Sequence, residues 1–247
     1  MAQLSAGDPR FRADQGGADP AVATALAEYA AGTGSEHAAL IALAGARLLV
    51  PVVAVVADQL AEADVPADAA GGEKASEMAM PTIVARDGRR ALPAFTCLES
   101  LQRWQPDARP VPVPAAGVWQ SAANEDQAVI IDIAGPVPLA IEGARLSALA
   151  SGVPVPPLHE DPDVRAVIAA AAAAQSPGIR IRLGPPHGEV DFTLELVPAD
   201  SAAGQPIPSE VANAVGEDVA AKLAGRARRG FAVVVRPPTA SPPSTLG

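Results

Sequence analysis

The chain has 247 residues, with 18 basic and 28 acidic side chains and a formal charge of −10 at pH 7. Its 49% hydrophobic content excludes wholesale disorder, because such a chain buries enough apolar surface to offset the entropy of ordering. The acidic balance excludes a strong nucleic-acid binder. One cysteine, Cys97, makes no internal disulfide, and three scattered histidines (His37, His159, His187) add no zinc-ligand pattern to it. These features predict a reducing, cytoplasmic setting and no cofactor.

Aromatic residues make up only 3% of the chain, so the core is built from Val, Leu, Ile and Ala. Phe95, Trp104, Trp119, Phe192 and Phe231 are the expected packing anchors. Residues 1–20 are polar and lack the apolar core of a secretory signal, which predicts a disordered tail. The apolar stretch Leu40 to Ala57 is interrupted by Gly45, Arg47 and Pro51, so it does not read as a membrane span. It reads as a short helix ending near Gly45, then a buried strand RLLVPVVAVV, with Pro51 at a sheet edge or a bulge. Residues 58–74 are acidic and read as a solvated surface loop.

Two apolar runs flank Asp87-Gly88, the signature of a hairpin with a tight two-residue turn. The second strand ends at Phe95. Thr96 and Glu99, spaced as T-x-x-E, predict a capping box for a helix through Leu98, Leu101 and Trp104. RPVPVP predicts a proline-marked edge strand, Trp119 sits on a small helix, and AVIIDI with PVPLAI forms a second hairpin turning at Gly135-Pro136. ARLSALAS closes the region as a helix, and residues 151–160 read as a proline-stiffened linker. Beyond it an α-β-β-α-β string begins with a helix over Asp161 to Ala174. GIRIRL and EVDFTLEL alternate with period two, and Val211, Val215, Val219 and Leu223 form one apolar stripe. GRARRGFAVVVRP supplies a basic turn and a central strand, and residues 238–247 a disordered tail. The expected architecture is a mixed, largely antiparallel α/β domain over 21–150 and a smaller α-β-β-α-β sandwich over 161–237.

The phosphate-loop, dinucleotide, nucleophile-elbow and zinc-protease motifs are absent. Gly32-Thr33-Gly34 lies between two helical segments and reads as a helix-terminating turn. Cys97 falls in the first turn of its helix, where the dipole favours a thiolate, yet no histidine lies near it in sequence. Arg86, Arg89 and Arg90 around the Asp-Gly turn suit carboxylate recognition; their simpler role is a solvated hairpin tip. Arg226, Arg228 and Arg229 form a second basic patch, suited to the carbonyls at the end of the preceding helix.

The L-L-V-P strand at Leu48–Pro51, M-P-T at Met80–Thr82, the corner R-A-L-P-A-F-T-C-L-E-S-L at Arg90–Leu101, and Trp104 together resemble the SseB-type N-terminal domain family, named for an enhanced serine sensitivity protein. The likeness spans roughly residues 35–150, and the R-A-R-R-G-F-A-V stretch is similar to the tail of actinobacterial members. The resemblance implies a small α/β domain and carries over no catalytic or cofactor residues.

The leading expectation is a non-enzymatic cytoplasmic module that binds an unidentified protein, presenting Arg89, Arg90, Phe95 and Trp104, with no nucleic-acid or membrane role. In a core-only version, Phe95 and Trp104 pack beneath the helix and the contact surface lies elsewhere. One alternative is a small-molecule sensor or enzyme using Cys97 or an inter-domain pocket. Another is a homodimer formed through an edge strand such as RPVPVP or EVDFTLEL.

Overall fold

The computed structural model describes residues 9–56, 76–175, 179–198 and 206–236. The acidic stretch 58–74, residues 1–8 of the expected N-terminal tail and the tail 238–247 lie outside the described residues. Chain contacts form two units, Met1–Ala23 with Ala42–Val153, and Thr24–Ile41 with Pro154–Gly247. Helices α1 (Pro20–Ala31) and α2 (Glu36–Ala44) therefore contribute most of their length to the second unit, although in sequence they lie between the two segments of the first.

The first unit holds two sheets. Strand β1 (Arg47–Val56) is flanked by β2 (Ser76–Ala79) and by a proline-rich strand, β5 (Arg109–Pro114). The second sheet runs β3 (Ile83–Val84), β4 (Arg90–Ala94), β6 (Ala128–Ile131), β7 (Leu139–Ile141), with only β4 and β6 parallel. Helices α3 (Leu98–Trp104), α4 (Ala115–Asn124) and α5 (Gly143–Ser151) complete it.

Pro51 lies inside the central strand, not at an edge or bulge. Leu49 directs both its N–H and its C=O to Phe95, at 2.8 and 2.9 Å, so its register partner Pro112 is a non-hydrogen-bonded pair. Pro51, two residues on, turns its nitrogen the same way, and β2 begins pairing only at Val53, so the missing N–H breaks no bond. The same alternation orients Pro110, Pro112 and Pro114 of β5, opposite Pro51, Leu49 and Arg47. Their nitrogens face the open edge, which over this run offers carbonyls and no donor.

The hairpin at Asp87-Gly88 forms with Ile83 opposite Ala91 and Val84 opposite Arg90. Its turn is longer than the two-residue expectation. Gly88 N–H donates to Ala85 O and Ala85 N–H to Arg89 O, and only Gly88 takes positive φ, at +84°. That is a type I turn followed by a left-handed glycine, which Arg86 and Asp87 enter without strain.

In the second unit, α6 (Pro162–Gln175), β8 (Ile179–Gly184), β9 (Phe192–Pro198), α7 (Ser209–Leu223) and β10 (Phe231–Val235) follow the expected α-β-β-α-β order. Asp161 is the residue before the helix, not part of it, and its carboxylate accepts the Asp163 N–H at 2.8 Å. Strand β9 is central, antiparallel to β8 and parallel to β10, so the terminal strand is an edge and not the expected centre. Phe192, Leu194 and Leu196 face Val164, Ile168, Val215, Val219 and Leu223 in one buried cluster. Ala212 takes the buried place expected of Val211 at the head of the α7 stripe. Burying each such Val or Leu contributes about 1.5–3 kcal/mol.

Candidate functional site

Three places were legible as binding or reacting surfaces, and all three are occupied by contacts within the chain to differing degrees. At the β4–α3 corner Phe95 is fully buried with Leu49, Leu101 and Ala108, and its ring lies 5.5 Å from that of the half-buried Trp104. The core-only version of the expectation holds for Phe95, and the surface version does not. The apolar residues before Thr96 alternate across a strand covered on both faces, which is why a large ring disappears there.

Thr96 does not cap α3. Its N–H and hydroxyl both donate to the Asp132 carboxylate, at 3.0 and 2.6 Å, and this engagement removes it from the helix. Asp132 directly follows β6 with φ at +48°, a left-handed conformation that Asp tolerates better than most non-glycine residues. The cap is Cys97, in extended conformation, whose Sγ accepts the Ser100 N–H at 3.5 Å and donates to Ser100 Oγ at 3.3 Å. Glu99, the expected second half of a capping box, instead pairs with Arg103 one turn on, at 2.6 Å.

Arg47 closes the corner from β1. It binds Thr96 O at 3.0 Å, the carboxylate of Asp14 at 2.6 Å and the carbonyl of Gly17. Gly16 O accepts the Leu98 N–H at 2.7 Å, and a Cβ on Gly16 would stand 2.8 Å from Leu98 Cβ. Residues 14–17, expected within a disordered tail, are thus docked on the corner; Arg47, Asp14 and Asp132 carry no local sequence signal for it.

At the hairpin tip, Arg89 donates to Asp87 at 2.8 Å and to Glu142 at 3.1 Å, and the guanidinium hydrogen bond holds the Asp87 carboxyl below its ordinary range. Arg86 and Arg90 are exposed and have no ion pair among the described residues. Val84, opposite Arg90, is 65% exposed.

The turn after α7 is a clamp and not a basic patch. Arg226 binds Glu36 at 2.9 Å and Asp161 at 2.6 Å, with side-chain exposures of 17%, 3% and 0%. Burial opposes the Arg226 charge, and the bonds with Glu36 and Asp161 outweigh it, so its pKa is raised. Arg228 donates to Tyr29 O at 2.9 Å and Ala30 O at 2.8 Å, lying 5.5 Å over the Tyr29 ring, and Tyr29 OH donates to Gly225 O. It caps α1, not the helix preceding it in sequence as expected. Arg229 N–H donates to Asp191 at 2.9 Å, and its guanidinium reaches Gly188 O at 3.4 Å. Tyr29, Glu36 and Asp161 were missed as partners. Only Asp161 had a signal, an Asp directly before a helix-starting Pro.

Among the described residues no group of three His, Cys, Asp or Glu side chains is placed to hold a metal ion, and no helix is long and apolar enough to cross a membrane. A shallow groove of about 430 Å³ between α4 and α5, lined by Gln120, Ala123, Asn124, Ser147, Ala150 and Ser151, contains no titratable side chain. The model of the SseB protein N-terminal domain matches residues 22–148. No curated protein and no solved structure matches the chain.

Proposed function

Because the chain belongs to the SseB protein N-terminal domain family, and because the polar groups of its family-matched corner are spent on holding that corner, we propose that it is a non-enzymatic, cytoplasmic protein-interaction module. The observation that carries this reading is the β3–β4 hairpin tip. Arg89 anchors the tip through Asp87 and Glu142, while Arg86 and Arg90 extend into solvent beside the exposed Val84. An apolar side chain flanked by unpaired guanidinium groups suits an apolar depression rimmed with carboxylates, since arginine is enriched at interfaces and opposite charge speeds encounter. Thiol chemistry at Cys97 has less support, because its sulfur is engaged in capping α3.

The test places a photo-crosslinking side chain at Val84 in the intact protein and irradiates it in native cell extract. A discrete protein adduct, lost in the Arg86→Glu, Arg90→Glu double variant, is the expected result. Adducts no different from those obtained with the crosslinker at the exposed Gln102, or indifferent to charge reversal, would contradict the proposal.

A further inference from the structure

We propose that the open edge of β10 accepts an added strand from a partner segment in which apolar and acidic residues alternate. The proposal concerns the second unit and stands apart from the hairpin tip.

The backbone sets up the edge. Gly230 O accepts the Asp191 N–H and Arg236 N–H donates to Leu196 O, each at 2.9 Å, so the even-numbered residues of this strand bond to β9. In a parallel pair the alternate residues turn away, and Phe231, Val233 and Val235 therefore direct three N–H and three C=O groups outward. No described strand pairs with them. The contrast lies in β5, where each outward position is a proline. There an edge strand is blunted against pairing, whereas in β10 the run Phe231–Val235 carries no proline and no charge.

The side chains say what fits. Register places Val233 and Val235 with Leu194 and Leu196 on the helix-covered face, yet they remain 40% and 44% exposed at its margin. The opposite face is a three-strand grid carrying Arg180 and Arg182 on β8, Glu195 on β9, and Arg236 just past β10. Among the described residues, Arg182 and Arg236 both stand beside the single carboxylate of Glu195 on this face. Arg236 pairs with Glu195 at 2.7 Å and stays 57% exposed, and the guanidinium hydrogen bond holds the Glu195 carboxyl below its ordinary range. A strand laid on the edge would send alternate side chains to the two faces, apolar ones against Val233 and Val235 and acidic ones beside Arg236. A second copy fits worse. Antiparallel pairing of β10 with itself about Val233 places each Arg236 opposite the other copy's Gly230 and along an uncharged Phe231–Val235 run, which offers it no carboxylate.

The probe is a fluorescein-labelled seven-residue peptide alternating glutamate and valine, titrated with the intact protein and followed by anisotropy. Saturable binding is expected, at least tenfold tighter than for the peptide with lysine in place of glutamate. Val233→Pro removes one outward N–H and none of the bonds to β9, and is expected to weaken binding at least tenfold while the thermal transition persists. Arg236→Glu, which leaves the edge intact, is expected to abolish the preference for glutamate over lysine. Absence of saturable binding, or full affinity in Val233→Pro, overturns the proposal. So does a concentration-dependent dimer that Val233→Pro dissolves, which would assign the edge to a second copy.

Discussion

The β4–α3 corner and the turn after α7 are each a short connection beside a phenylalanine, Phe95 and Phe231, but only the second carries a run of arginines, and they are held by different physics. The corner is closed by hydrogen bonds among its neighbours in space, Thr96 with Asp132 and Leu98 with Gly16, around the buried Phe95, with one ion pair, Arg47 to Asp14, at its margin. The turn is closed by charge. Arg226 gathers Glu36 and Asp161, and Arg228 holds the last carbonyls of α1, nearly 200 residues earlier. Arginine in a short basic run thus says little about exposure, because a guanidinium has donors enough to satisfy two carboxylates or two carbonyls at once. The consequence is architectural: residues 24–41, within the family-matched 22–148, pack with the C-terminal unit.

The comparison is broken most severely by removing the charge at its centre. Arg226→Ala leaves two buried carboxylates without their counter-ion and is expected to cost about 3–5 kcal/mol, read from chemical denaturation. The triple variant Glu36→Gln, Asp161→Asn, Arg226→Met removes all three charges while keeping a capping side chain at 161, and most of the loss is expected to return. At the corner, Asp132→Ala leaves the Thr96 N–H and hydroxyl unpaired, with an expected loss of about 1–3 kcal/mol in the same assay. A Cys97→Ser variant supplies a better cap at the same position, and unfolding should shift by no more than about 0.5 kcal/mol, toward stability.

The smallest effect is a dependence on pH. Burial raises the Asp191 pKa above its ordinary 3.8, against the opposing hydrogen bond from the Arg229 backbone. The folded state therefore keeps this proton where the unfolded chain has lost it, and stability falls as pH rises from 3.8 through the folded pKa. Asp191→Asn abolishes that dependence. Its thermal midpoint relative to the parent is expected to be higher at pH 7 than at pH 3, and a constant difference would assign Asp191 a purely geometric role.

What could be read in advance was local. The Asp87-Gly88 hairpin, the period-two strands β8 and β9 and the α7 stripe at Val215, Val219 and Leu223 are set by neighbours within a few positions and form where expected, although the hairpin turn is longer and Ala212 heads the stripe in place of Val211. Errors entered where a distant residue competes for a local group. Thr96 matches a capping pattern and loses that role because Asp132 takes both its donors; Phe95 follows an exposed-looking Arg90 yet meets Leu49 across a second sheet. Pro51 suggested an edge, and it is accommodated inside a sheet because the neighbouring strand starts two residues later. EVDFTLEL, offered as a pairing edge, is flanked on both sides, and RPVPVP turns its prolines outward; the open, donor-bearing edge is the terminal strand that sequence placed at the centre. Of the proposed contact residues, Arg90 stays free at the surface, while Arg89, Phe95, Arg226, Arg228 and Arg229 have internal partners.

The central claim is that the basic turn holds residues 24–41 to the C-terminal unit. Hydrogen exchange of the intact Arg226→Ala variant tests it most directly, under conditions where the parent protein is folded. Loss of amide protection is expected jointly over residues 24–41, 162–175, 179–198 and 209–235, with residues 90–149 keeping the protection of the parent. Protection lost only near the turn, or lost equally over 90–149, would contradict the account.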